Sequence, residues 1–234
     1  KFGANLRGID VDGCDARGVQ VRTIRRRANI ACAEQTMALM LTFAKRLHEI
    51  RGLISLEQLT AAGFKPGAFD RRHTAMSGWA RISGLKMLHE ATLGIIGLGE
   101  IGRELALRAA AFGMRVRYYQ RHPLTAAEEQ QWQATYAPLE TLLAESDYVS
   151  LQLPRGGGTK GFLNAERLAM MRPEAFLIDT AQADHVDRPA LLEALRAGRL
   201  AGFALDPLYE EPGRPDDELL AFPNVILKIG RAHV

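Results

Sequence analysis

Three glycines, Gly97, Gly99 and Gly102, stand at G-x-G-x-x-G spacing. A short apolar run, Leu93 to Gly97, leads into them, and from Ile101 to Phe112 apolar residues (Ile101, Leu105, Leu107, Ala111) recur at helical spacing. Chemically this is a phosphate cradle. The first glycine permits a tight turn, the second lets backbone approach a pyrophosphate, and the third lets helix and strand pack closely. Free N–H groups at the helix start, across Gly97, Leu98, Gly99, Glu100, Ile101 and Gly102, would face the phosphates. Met114 to Tyr119 supplies the next strand, so the strand, turn, helix and strand context that the motif requires is present. The alternative is a glycine turn in a Rossmann-like unit that binds nothing.

The end of that second strand bears on which nicotinamide cofactor is held. An acidic residue there would accept hydrogen bonds from the adenosine ribose, and the chain offers Gln120 followed by Arg121. Without the carboxylate there is no like-charge penalty against a ribose phosphate, and Arg121 could pair with one bidentately. The balance favours NADP slightly over NAD, with Arg121 as a solvated surface charge the other reading.

The rest of the chain must position these residues. Apolar strands (Tyr148 to Leu153, Ala175 to Asp179, Ala201 to Leu205, Val225 to Leu227) alternate with helices (Leu139 to Ala144, Asn164-capped through Met171, Arg188 to Leu195). That order predicts an α/β fold: a doubly wound, mostly parallel sheet covered on both faces. Ala33 to Leu47 reads as a strongly amphipathic helix, suited to a core or to a dimer interface. Asp15 to Val21 reads as loop and strand, and Pro123 to Tyr136 as a polar surface segment. Leu53 to Glu90 reads as an irregular arm with Trp79 as a packing anchor.

Composition suits a globular enzyme, with 47% hydrophobic and 24% charged residues in a chain of 234. A net charge of only +3, with signs interspersed, argues against nucleic acid as a partner, and the cluster Arg22, Arg25, Arg26 and Arg27 reads as a solvated loop. Cys14 and Cys32 lie in neither C-x-x-C nor metal-ligand spacing, so no metal site is expected. Neither a membrane span nor a signal-peptide pattern is found, and the expected location is the cytoplasm. Both ends read as cut. The chain opens on Lys1, and IGRAHV, Ile229 to Val234, is what a common short-read sequencing adapter gives when ATCGGAAGAGCACACGTC is translated. On that expectation native coding ends at Leu227.

The chain up to Leu227 resembles the D-isomer-specific 2-hydroxyacid dehydrogenases, the family of 3-phosphoglycerate, glyoxylate and hydroxypyruvate reductases. The resemblance is carried by FGANLRGIDVDGC, NIACAEQTMALML, GLGEIG, VSLQLP, LIDTAQADHVD, ALDPLYEEP and NVIL, in that order. It implies two domains: a flavodoxin-like substrate domain, of which residues 1–27 would be a remnant, and a nucleotide domain over residues 28–227, with 228–234 a non-native tail. A homodimer is implied for the full-length protein. Also implied is hydride transfer between nicotinamide and a small 2-keto or 2-hydroxy acid, with proton transfer by a His that a Glu orients and an Arg that binds the substrate oxygens. Carried over by motif, Gly3, Ala4 and Asn5 would hold the substrate carboxylate, Glu211 would be the partner Glu, and Asp206 would contact the carboxamide. Leu153, Pro154, Thr159, Thr180 and Ala181 would line the cofactor.

Two departures from the pattern stand out. The resemblance implies that the His follows NVIL as T-P-H, where the chain instead reads Lys228, Ile229 and Gly230, so the chain as given is expected to be inactive. Where the family has Arg in T-A-R-G, this chain has Gln182. Glutamine offers a hydrogen bond without charge or fork, and losing a charge-assisted bidentate contact costs on the order of 2 to 4 kcal/mol. Three readings are open: the protein handles a different substrate, with another cation, Arg25 to Arg27 being candidates, replacing the lost one; it is a slow dehydrogenase; or it is a non-catalytic NAD(P)-binding or sensor protein.

Overall fold

The computed structural model describes residues 3, 6, 8–24, 26–49, 52, 55–61, 63, 84–156 and 158–228. Ala4, Asn5, Arg25, most of the arm with Trp79, and Ile229 to Val234 lie outside them. Among the described residues the elements run α1 (Val11–Asp15), α2 (Arg27–Ala44), α3 (Leu56–Ala61), β1 (Thr92–Ile96), α4 (Glu100–Ala111) and β2 (Arg115–Tyr119). They continue with α5 (Ala126–Trp132), β3 (Thr135–Tyr136), α6 (Leu139–Glu145), β4 (Tyr148–Leu151), α7 (Ala165–Ala169), β5 (Phe176–Asp179), α8 (Arg188–Arg196), β6 (Gly202–Leu205) and β7 (Val225–Leu227).

All seven strands join one sheet in the order β3-β2-β1-β4-β5-β6-β7, and every pairing is parallel. The predicted doubly wound α/β fold is therefore present. Every residue of β1, β4 and β6 is buried, which is why these strands read as unbroken apolar runs rather than alternating ones. Successive residues serve opposite faces. Ile96, Leu177, Phe203 and Leu205 join a core with Leu142, Leu143, Leu191 and Leu195. Their neighbours Ile95, Ile178 and Ala204 join a second core with Met37, Met40, Leu105 and Ala109. The long helix α2 is fastened to the sheet by Phe43, whose ring stacks on Phe176 at 4.8 Å, and Phe176 in turn stacks on Tyr148 at 5.4 Å.

Three expectations need correction. Asp15 to Val21 holds no strand among the described residues. Instead the Asp10 carboxylate caps α1 by accepting from the Gly13 N–H at 2.9 Å, and Gly18, at φ 67°, turns the chain beyond it. The helix expected over Ala33 to Leu47 begins at Arg27 and ends at Ala44. Its polar first turn carries no apolar period, and Leu47, 51% exposed, lies past its end. Pro123 to Tyr136 is not merely a surface segment, because Thr125 and Glu128 form a reciprocal capping box that starts α5, and β3 comes after it.

Candidate active site

Because the strands are parallel, the segments that leave the ends of β1, β2, β4, β5 and β6 share one edge of the sheet. The chain leaves β1 toward β2 on one side and β4 lies on the other, so a crevice opens between β1 and β4 at that edge. The sequence-derived cofactor residues lie along that edge: Gly97 to Gly102 after β1, Gln120 and Arg121 after β2, Leu153, Pro154 and Thr159 after β4, Thr180 and Ala181 after β5, and Asp206 after β6, with Gln182, the residue at the family's Arg position, next to Ala181.

The three glycines differ in what surrounds them. Gly97 has φ 99°, and a Cβ there would sit 2.7 Å from the carbonyl oxygen of Gln152, the residue after β4, so both conformation and close backbone approach require glycine. A Cβ on Gly102 would lie 2.4 Å from the Gly97 carbonyl oxygen and 3.4 Å from Ile95, which is the close seat of α4 on β1. At Gly99 a Cβ would meet nothing within 4 Å, although the flanking glycines are packed against protein. Gly99 is also the N-cap of α4 and caps it with no side chain. The turn thus has two glycines required by the fold and one that opens on space at the start of a helix, where N–H groups and the helix dipole favour an anion. This geometry fits a pyrophosphate.

Arg121 is exposed and has no hydrogen bond or ion pair among the described residues. Gln120 donates from Nε2 to the His122 carbonyl at 2.7 Å, which fixes the turn that carries Arg121.

Beneath the edge lies a polar network that sequence reasoning did not find. Thr36 of α2 and Thr180 share a hydrogen bond of 2.9 Å. Gln152 donates to Thr180 and to Ser150, each at 3.0 Å. Asp179, fully buried, accepts through Oδ1 from the N–H groups of Ala181 at 2.9 Å and Gln182 at 3.1 Å, and so shapes the loop that bears both. Burial raises its carboxyl to a pKa of about 7, against the pull of those two N–H groups. Its Oδ2 lies 3.9 Å from Nδ1 of His185, also fully buried, whose pKa burial pushes below its ordinary value. Both shifts favour the neutral form of each group.

Asp206 is buried, and its N–H donates to the Asp179 carbonyl at 2.9 Å. Glu211 is exposed and accepts from the Leu208 N–H at 3.2 Å within its own turn. Thr159 closes its loop by donating to the carbonyls of Pro154 at 2.9 Å and Gly156 at 2.7 Å. Gly3, at φ 84°, donates its N–H to the Ile24 carbonyl at 2.8 Å. The Arg26 side chain lies against Gly3, where a Cβ would come within 2.9 Å of Nε. Gln182 accepts through Oε1 from Arg155, a residue that nothing in the sequence alone singles out.

Residues 37–229 match the family described as D-isomer specific 2-hydroxyacid dehydrogenase, NAD binding domain. The chain is 34% identical over 228 residues to a glyoxylate reductase of Thermococcus litoralis, covering 97% of this chain and 64% of that protein. It is 31% identical over 226 residues to a D-3-phosphoglycerate dehydrogenase of Methanocaldococcus jannaschii, covering 97% of this chain and 39% of that one. Among solved structures, it is similar to a glyoxylate reductase from Paecilomyes thermophila, with a TM-score of 0.69 and 29% identity over 97% of this chain and 64% of that chain. The chain spans 64% and 61% of the lengths of two of the curated glyoxylate reductases it matches.

Proposed function

Since the chain belongs to the D-isomer specific 2-hydroxyacid dehydrogenase family, we propose that the full-length protein is an NAD(P)-dependent oxidoreductase acting on a small 2-keto or 2-hydroxy acid. The observation that carries this reading is Gly99, open to space between two glycines that the fold itself requires. A bound nicotinamide cofactor would exchange a hydride with the substrate carbon. The residues of the glycine turn, Gly97 to Gly102, would bind its pyrophosphate through their N–H groups. Arg121, exposed and unneutralised beside Gln120, favours a ribose phosphate and hence NADP over NAD.

Leu153, Pro154, Thr159, Thr180 and Ala181 would line the nicotinamide side, with Asp206 toward its carboxamide. Gly3, Ala4 and Asn5 would hold the substrate carboxylate, and Glu211 would orient the His that the family resemblance implies. We further propose that residues 1–27 belong to a substrate domain and 28–227 to the nucleotide domain, that the protein is a cytoplasmic homodimer, and that the chain as given turns over no 2-hydroxy acid. No described helix is long and apolar enough to cross a membrane.

Reduction of glyoxylate and hydroxypyruvate by the full-length protein, monitored as loss of NADPH or NADH absorbance, tests the reading. Turnover of either acid is expected. Gln182, standing where the family has Arg, favours a second reading, a non-catalytic NAD(P)-binding or sensor protein; tight NADPH binding without turnover of any 2-keto acid would select it.

A further inference from the structure

Gln182 removes a charge from the site, and the residue beside it supplies one. Arg155 comes after Leu153 and Pro154 in the loop beyond β4, and its Nε and Nη2 both donate to Gln182 Oε1, at 2.9 and 2.7 Å. The two residues are 27 apart in sequence and meet because the loops after β4 and β5 are joined. The Gly161 N–H donates to the Asp184 carbonyl at 2.7 Å, the Leu163 N–H to the His185 carbonyl at 2.9 Å, and Leu163 bridges Val186 in parallel. Gln182 is itself held by its N–H on Asp179.

A glutamine oxygen is neutral, so it aims the guanidinium without cancelling its charge. Among the described residues no carboxylate pairs with Arg155. Of five guanidinium N–H groups two are used, and with Oε1 committed to Arg155 the Gln182 amide keeps its NH2 donors. The cluster therefore offers donors and one positive charge, which is what a carboxylate with an adjacent carbonyl oxygen, acceptors only, requires.

We propose that Arg155, positioned by Gln182, binds the carboxylate and carbonyl oxygens of the 2-keto acid, supplying from the β4 loop the cation that the family resemblance implies in the β5 loop. This rests on the 2-hydroxyacid reading above. Arg26, against Gly3, is the competing cation and serves as the control.

The test uses the full-length protein saturated with NADH and titrated with oxamate, which presents a carboxylate beside a carbonyl oxygen, alongside steady-state reduction of glyoxylate. Arg155→Ala should weaken oxamate binding and lower kcat/KM about a hundredfold, with NADH affinity changed less than about twofold. Arg155 is exposed, so the variant is expected to fold. Gln182→Ala should cost about tenfold, and the double variant Arg155→Ala/Gln182→Ala should be no worse than Arg155→Ala alone, since Gln182 acts through Arg155. Arg155→Ala combined with Gln182→Arg should recover most of the loss.

Oxamate binding in Arg155→Ala within about twofold of the wild type, or a loss that appears in Arg26→Ala instead, would overturn the assignment while leaving the 2-keto acid reading intact. Wild-type protein that binds NADH but neither binds oxamate nor reduces glyoxylate or hydroxypyruvate would overturn both.

Discussion

Replacing Asp179 by Asn should stabilise the protein at neutral and alkaline pH, whereas removing one partner of a buried ion pair destabilises a fold. Burial raises the Asp179 carboxyl from 3.8 to about 7 even though Ala181 and Gln182 donate to it. At 1.36 kcal/mol per pH unit that displacement corresponds to roughly 4 kcal/mol. In the unfolded chain the carboxyl loses its proton near 3.8, whereas the native state keeps it until about 7. Between those values the native state binds more protons, so stability falls as pH rises through the window, and the whole cost is present above it. His185 slopes the other way: burial holds its pKa below 6.5, so protonation costs stability as pH falls through that value.

Asparagine keeps the Oδ1 acceptor for the two N–H groups and places an amide NH2 where Oδ2 now faces His185 at 3.9 Å. The unfolding free energy of Asp179→Asn minus that of the wild type should be near zero at about pH 4 and climb to at most about 4 kcal/mol by about pH 8. Urea unfolding monitored by tryptophan fluorescence at a series of pH values measures it, and taking the difference cancels the other titrating groups. A difference that stays flat, or that turns negative at alkaline pH, would mean that Asp179 is ionised in the native state, and the neutral pair with His185 would be refuted.

Arg121→Ala should weaken NADPH by about tenfold and NADH by less than about twofold, since only the ribose phosphate needs that charge; equal effects in parallel titrations would remove the argument for NADP. Gly102→Ala forces a Cβ to within 2.4 Å of the Gly97 carbonyl oxygen, so a loss of about 1 to 3 kcal/mol in thermal or urea unfolding is expected, and an unchanged midpoint would contradict the packing assigned to that glycine. Phe43→Ala removes a ring that is 3% exposed and stacked on Phe176, with an expected cost of about 3 to 5 kcal/mol in the same assay. A cost under about 1 kcal/mol would show that α2 is held to the sheet by other contacts.

The legible features of the sequence are local ones. The glycine turn can be read because strand, turn and helix are adjacent, and Asn164 can be read as a cap, which it is, accepting from the Arg167 N–H at 3.0 Å. Apolar runs disclose β1, β4, β5 and β6 because strands buried on both faces hide no polar side. The capping box of α5 escapes notice because the helix buries none of its residues and so shows no apolar stripe. The first turn of α2 is hidden because Arg27 and Ala28 are exposed and the buried Asn29 is polar, its amide donating to Glu100 at 2.9 Å. At the site, the motif marks Gln182 as a lost charge but not its neighbour. Arg155 and Gln182 come together only through the register of β4 on β5 and the joining of the loops beyond them. Thr36 and Thr180, 144 residues apart, pose the same difficulty. Side chains that meet across a sheet edge leave no period or spacing to detect.

Calorimetric titration of NADH and NADPH into the full-length protein, wild type and Gly99→Ala, tests the pyrophosphate cradle most directly. Alanine at position 99 meets no protein atom within 4 Å, and its backbone, at φ −77° and ψ −159°, is open to alanine, so folding should be untouched. One coenzyme per wild-type chain is expected, with binding at least about tenfold weaker in Gly99→Ala at an unchanged melting temperature, the methyl standing where the pyrophosphate must come. Wild-type protein that takes up neither coenzyme, or Gly99→Ala that binds as the wild type does, would contradict it.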